Sequence, residues 1–267
     1  MTNAKEIINN EFSSAKIQDR LSSVLGKMKN EAYSEILIFD ENKLKGIFSP
    51  NYATRSKIDI VNTKVDKFTK PANCVTEETE LKEVIKEIIN SDHDTIPVKK
   101  NQKVVGIIHS LDILNIIKND LKKVKIKDVK KKQNKKVSEN DRIGKIIEIL
   151  NDKSLHALVI LNEKKEATDL ITHYDIMRNI NFFSHGRDSG QKHGTISKAF
   201  KAEKDDLNGL PAYDFIEYKN SASLTSEDSL AKAIDLMINN DVLNVLVKDE
   251  PSIIRAKDIL RYYNGKF

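Results

Sequence analysis

The chain has 267 residues, a net charge of +5 and 39% apolar residues, enough to fill real cores. Its single cysteine, Cys74, excludes an internal disulfide framework. No apolar run approaches the ~20 residues that span a bilayer, and the opening MTNAKEIINNEF lacks an apolar signal segment, so a cytoplasmic protein without a membrane partner is expected.

The predicted elements follow one order four times. Leu21, Val24, Leu25 and Met28 share a helical face and lead to Ile36-Leu37-Ile38-Phe39, a polar turn, and Gly46-Ile47-Phe48. Leu81, Val84, Ile85, Ile88 and Ile89 form the next such face. They precede Thr95-Ile96-Pro97-Val98, a turn, Val104-Val105-Gly106-Ile107-Ile108, and a second helix starting near Leu111-Asp112. Ile143, Ile146, Ile147 and Leu150 lead to residues 157–161 and then Leu170-Ile171. Leu230, Ile234 and Met237 lead to Val245-Leu246-Val247 and Ile253-Ile254. The second strands align as GIFSPNY from Gly46, GIIHSLD from Gly106, DLITHYD from Asp169 and SIIRAKD from Ser252. Their starts are 60, 63 and 83 residues apart, so two intervals set a period and the third carries an insertion. One unit of this size cannot bury both faces of its sheet, whereas stacked copies can.

The charge is local. Residues 122–136 carry a net of +8 and residues 184–204 a net of +3, which leaves −6 for the rest. Basic stripes on an acidic body suit a polyanionic partner. They also read as solvated surface and linker.

Ile96-Pro97-Val98, the run from Gly106 to Asp112 and the lead-in KVDKFTKP from Lys64 resemble the cystathionine-beta-synthase (CBS) domain. Its repeat ends in Gly-apolar-apolar-Ser/Thr-x-x-Asp. The resemblance covers most of the chain. It implies an α/β fold of four CBS repeats in two Bateman modules, joined near residues 121–136. The expected boundaries are residues 12–58, 64–121, 122–181 and 211–265 for repeats one to four, with a basic, glycine-containing insertion at residues 182–210.

In CBS domains that bind adenosine derivatives, the motif Asp takes both ribose hydroxyls and the hydroxyl residue lies near the phosphates. The resemblance therefore implies a regulatory ligand such as AMP, ADP, ATP or S-adenosylmethionine, and no required cofactor. A carboxylate does offer two acceptors to a vicinal diol. Repeat three keeps both residues, Thr172 and Asp175. Repeat two keeps Asp112 but has His109, repeat four keeps Asp258 but has Arg255, and repeat one keeps Ser49 but has Tyr52. Arg55, Arg178 and Arg261 recur three residues further on, on the same helical face. A guanidinium there can meet a phosphate bidentately. The expected nucleotide-binding residues are thus Thr172, Asp175 and Arg178, then Asp112, Asp258 and Arg261. The plainer alternative is an Asp that stabilises a helix start. No catalytic constellation is evident, and His185 and His193 lack companions for a metal site, so neither an enzyme nor a metal centre is expected.

Within the insertion, Gly186, Gly190 and Gly194 recur every four residues among basic side chains. No Gly-Lys-Ser/Thr follows, so this is not a phosphate loop. The composition predicts an adaptable basic loop, or simply a linker. Gly186-Arg187-Asp188-Ser189 followed by Gly194 resembles a segment of a bacterial large-subunit ribosomal protein. Four repeats with a basic insertion resemble archaeal CBS-domain ribosome-hibernation factors, the dual ribosomal subunit inhibitor class. That resemblance implies a ribosome-binding translation inhibitor. Gly186, Arg187, Ser189, Gly190, Lys192, His193, Lys198 and Lys201 would then meet ribosomal RNA, and no DNA partner is expected. The alternative is an adenine-nucleotide-sensing CBS regulatory protein acting on a protein partner, like the gamma subunit of AMP-activated protein kinase.

Overall fold

The computed structural model describes residues 2–31, 34–54, 63–131, 134–152, 155–179, 209–216 and 224–266. Four small sheets recur along these residues, each flanked by helices. Repeat one consists of β1 (Ser14–Lys16), α1 (Leu21–Glu31), β2 (Ile36–Asp40), β3 (Lys43–Phe48) and α2 (Pro50–Thr54). Repeat two has β4 (Val75–Thr76), α3 (Leu81–Asn90), β5 (Thr95–Lys100), β6 (Lys103–His109) and α4 (Ser110–Ile117). Repeat three has β7 (Lys136–Ser138), α5 (Ile143–Leu150), β8 (Ala157–Leu161), β9 (Ala167–Thr172) and α6 (His173–Asn179). Repeat four has α7 (Leu230–Asn239), β10 (Asn244–Val247), β11 (Ser252–Arg255) and α8 (Ala256–Lys266), with the parallel bridge Leu224–Val247 standing for the first strand.

In the first three repeats a short strand lies parallel to the middle one, which pairs antiparallel with the last. The second strand of repeat two pairs as expected, with Ile96 opposite Ile108 and Val98 opposite Gly106. Helix α3 forms because its stretch lacks Gly and Pro and places Val84, Ile85 and Ile88 on one buried face.

A short 3-10 turn before each repeat docks on the other repeat of its pair. These turns are Ala4–Glu6, Val65–Phe68, Ile126–Asp128 and Ala212–Phe215. Each carries, within the turn or at the residue just after it, two buried apolar residues three apart: Ala4 and Ile7, Val65 and Phe68, Ile126 and Val129, Ala212 and Phe215. With three residues per turn, both point the same way. Val65 and Phe68 enter the core of repeat one, and Ala4 and Ile7 that of repeat two. Ala212 and Phe215 enter repeat three, and Ile126 and Val129 pack with repeat four.

The exchange also satisfies helix starts, whose first N–H groups have no partner within the helix. The N–H of Leu21 donates to Thr63 O (2.8 Å) and that of Leu81 to Thr2 O (3.0 Å). Ile143 donates to Leu210 O (2.8 Å) and Leu230 to Val124 O (2.8 Å). Repeats one and two therefore form one interlocked pair, and repeats three and four another.

The pairs meet through helices. Helix α4 packs on α7 and α8, and α2 packs on α6, so repeat two faces repeat four and repeat one faces repeat three. Ile113, Leu114 and Ile117 share a core with Ile234, Met237, Ile259 and Leu260. Between repeats three and four the sheets themselves face each other, through Ala157 and Val159 against Leu246 and Ile253.

The motif glycines have a physical reason. The chain leaving each docked turn in the first pair runs beside the second strand of the partner repeat. Ile47 and Lys70 exchange two backbone hydrogen bonds of 2.9 Å, and Ile107 and Asn9 exchange bonds of 2.9 and 2.8 Å. A Cβ on Gly46 would stand 2.0 Å from Lys70 O, and one on Gly106 2.5 Å from Asn9 O. Gly46→Ala and Gly106→Ala should each cost about 2 kcal/mol or more, because backbone rather than a side-chain tip must move. Gly265→Ala, in α8 with nothing within 4 Å, should be neutral or slightly stabilising. Denaturant midpoints of the three variants check this contrast.

Candidate functional site

In every repeat the last strand runs straight into the second helix. The motif residues therefore sit at a helix N-terminus, where backbone N–H groups favour negative charge. In repeat three, Asp175 Oδ2 accepts the Thr172 N–H at 2.8 Å and the Thr172 hydroxyl at 2.6 Å. The Thr172 hydroxyl oxygen accepts the Asp175 N–H at 3.3 Å. Hydroxyl and carboxylate are thus brought together, and they also cap the helix. Asp169 stands where repeats one and two have glycine. Burial and, more weakly, the charge of Asp175 push its carboxyl up to about 6, against the Leu170 N–H bond and the Lys248 charge. Its Oδ2 has no hydrogen-bond partner among the described residues. Arg178 belongs to α6, but its side chain lies outside the described residues.

The other copies have diverged in distinct ways. In repeat two, Asp112 Oδ2 accepts the His109 N–H at 2.8 Å, and His109 Nδ1 accepts the Leu111 N–H at 3.4 Å. Here the motif is a helix cap with an imidazole in the hydroxyl position. In repeat four, Asp258 is 3% exposed and receives Arg255 through two bonds, of 2.8 and 2.6 Å. Arg261 adds a third at 3.2 Å. The spacing of three did bring Arg261 to Asp258, but the result is an internal lock. A ribose taking Asp258 would strand a buried guanidinium, at a cost of about 3–5 kcal/mol. In repeat one, Tyr52 fills the Asp position. Its ring meets His93 edge-on at 6.2 Å, and Lys70 Nζ lies 5.7 Å above it.

Arg255 and Arg261 also line a small open cleft where repeats two, three and four meet, together with Asp94, His156, Asn244 and Lys257. Arg255 and Arg261 were visible in the motif of repeat four, but the junction was not, because Asp94 and His156 come from other repeats.

The lysine-rich stretch is partly neutralised from within. Lys125 and Lys127 both bind Glu227, and Lys131 reaches Glu250 at 3.0 Å. Ile126 and Val129, embedded in that run, dock it on repeat four, and their apolar spacing of three is a signal that the charge concealed. All the residues expected to meet RNA, Gly186, Arg187, Ser189, Gly190, Lys192, His193, Lys198 and Lys201, lie outside the described residues. Among the described residues no group of three His, Cys, Asp or Glu side chains is arranged to hold a metal, and no helix is long and apolar enough to cross a membrane.

Comparison with known proteins agrees with this architecture. The family model of the CBS domain matches residues 65–119 and 126–181. The uncharacterized protein MJ1404 of Methanocaldococcus jannaschii is 23% identical over 97% of this chain and 61% of its own length. MJ1225 of the same organism is 23% identical over 53% of this chain and 56% of its own length. The chain thus spans about three fifths of the length of these curated relatives. The crystal structure of MJ1225, described as a candidate archaeal homolog of g-AMPK, matches with a TM-score of 0.82 at 16% identity, over 98% of this chain and 100% of that one. An uncharacterized conserved protein from Pyrococcus horikoshii matches with a TM-score of 0.63 at 16% identity, over 98% and 99%. At such identities the likeness is one of fold. The CBS-domain model thus matches repeats two and three, and the whole four-repeat fold is similar to that of MJ1225.

Proposed function

We propose that the protein is a non-catalytic regulator whose CBS repeats sense an adenine nucleotide and act on a protein partner, with repeat three as the primary site. The observation that carries this reading is the contact between Thr172 and Asp175. A ribose hydroxyl would replace a neutral donor on Asp175, roughly an exchange of one hydrogen bond for another. The Arg255–Asp258–Arg261 lock offers no such exchange. The likeness to MJ1225, itself described in terms of g-AMPK, supports the same reading.

Titration calorimetry with AMP, ADP, ATP and S-adenosylmethionine tests it. Asp175→Ala should weaken the bound ligand by at least about tenfold, the loss of one charge-assisted bond. Asp258→Ala should leave affinity unchanged while lowering stability. Unchanged affinity in Asp175→Ala overturns the site.

The raised Asp169 carboxyl adds a pH dependence. Above about 6 it is charged beside Asp175, and below it is neutral. Affinity for a phosphate-bearing nucleotide should therefore rise as pH falls through about 6. Asp169→Asn should flatten that profile.

The ribosome-binding reading rests on residues 184–204, whose net charge of +3 suits phosphate. Sedimentation of lysate at rising salt separates it from the sensor reading. If it holds, the full chain travels with ribosomes at low salt and a chain lacking residues 184–204 does not. A full chain that stays clear of ribosomes at low salt overturns it.

A further inference from the structure

We infer that the seam between repeats one and two is held by a buried imidazolium–carboxylate pair, His93 with Glu35, and that this latch loosens as pH rises. Glu35 immediately precedes β2, and His93 lies in the turn before β5, so the two side chains come from different repeats. His93 Nδ1 and Glu35 Oε1 are 3.5 Å apart, an ion-pair contact outside hydrogen-bond geometry, with the side chains 3% and 8% exposed.

The other ring nitrogen fixes the protonation. His93 Nε2 lies 3.3 Å from the Pro71 carbonyl oxygen, which can only accept, so Nε2 carries a hydrogen. A neutral ring would then aim the Nδ1 lone pair at a carboxylate, two acceptors facing each other in a buried place. A proton on Nδ1 turns that conflict into attraction. Glu35 Oε1 is already committed as an acceptor, since it receives the Asp94 N–H at 3.3 Å.

The surroundings favour the ionic form. Burial pushes Glu35 up, but the attraction of His93 and the Thr95 hydroxyl bond outweigh it and leave it below its ordinary value. Burial pushes His93 down, but Glu35 and the Pro71 carbonyl outweigh this and leave it raised, against the opposing charge of Lys257. His109 sits on β6, opposite Thr95. Its Nδ1 accepts the Leu111 N–H, so its hydrogen is on Nε2, which is buried and has no hydrogen-bond partner among the described residues. Glu35 Oε2 has none either. Lys257, from α8, donates to Ser91 O at 2.9 Å and lies 3.9 Å from the Asp94 carboxylate. Tyr52, from α2, closes the ring edge. The latch thus reaches repeat four through the turn from Ser91 to Asp94, which borders the cleft.

The ordinary values are 4.5 for Glu35 and 6.5 for His93. The latch therefore contributes fully between them. It is lost in alkali as pH rises through the raised His93 value, and in acid as pH falls through the lowered Glu35 value.

The test uses the full chain, with nitrogen-detected imidazole spectra and amide exchange at Asp94, in wild type and Glu35→Gln. In the wild type, most His93 rings should carry hydrogens on both nitrogens at the ordinary value of 6.5 and lose one only above it. Between 6.5 and the raised native value, the Asp94 opening equilibrium, corrected for intrinsic exchange, should rise by up to about tenfold per pH unit, one proton per opening. In Glu35→Gln the amide can donate to Nδ1, so the ring should stay neutral and the slope vanish. A lone pair on most wild-type Nδ1 atoms at pH 6.5, or an equal slope in Glu35→Gln, overturns the proposal. The wild-type spectrum decides the matter even if the variant does not fold.

Discussion

The rest of the molecule depends on the exchange of short 3-10 turns between paired repeats. A repeat of this size has a helix start with unpartnered N–H groups and a core open at one corner. The turn from its neighbour closes both at once, by one backbone hydrogen bond to the first helical residue and two apolar side chains set three apart. Burying each large side chain among these is worth about 1.5–3 kcal/mol. No repeat holds that stabilisation alone, so the pair is the unit of stability. The glycine of the second strand follows from the same constraint, because the incoming chain passes within backbone hydrogen-bonding distance of it.

Once the frame is fixed in this way, the helix start after the second strand is free to diverge. Four copies of one position hold four chemistries: hydroxyl with carboxylate at Thr172 and Asp175, imidazole with carboxylate at His109 and Asp112, a guanidinium lock at Arg255 and Asp258, and an aromatic ring at Tyr52. Each satisfies its helix start or its buried surroundings without altering the fold. Repetition conserves geometry here, while the charge placed on that geometry varies.

The repeats were legible in the sequence because helical and strand periods are long signals, and because the second strands align with Gly46 and Gly106 in register. The docked turns were less so. Four residues with two apolar positions carry no measurable period, and Ile126 and Val129 were hidden in a lysine run. That run reads as partner-facing by composition, yet Glu227 and Glu250, far along the chain, engage three of its lysines. The pairing of Arg261 with Asp258 was visible as a spacing of three. The bidentate grip of Arg255 depends on burial, which spacing does not report. Glu35 and His93 were invisible for a simpler reason: nothing local links a residue before one strand to a residue before another.

The direction of each exchange has a consequence for synthesis on the ribosome. Repeat two is completed by residues 4–7, already made when its helix emerges, so it can close as soon as it is translated. Repeat three is completed by residues 210–216, which lie beyond the glycine-containing segment. Its core must wait, with α5 uncapped, until that whole segment has been made. The delay is kinetic rather than thermodynamic, because loop-closure entropy grows only logarithmically and doubling a loop costs about 0.6 kcal/mol. Lengthening the segment would thus leave the finished protein nearly as stable while extending the time that half of the second pair spends open to chaperones.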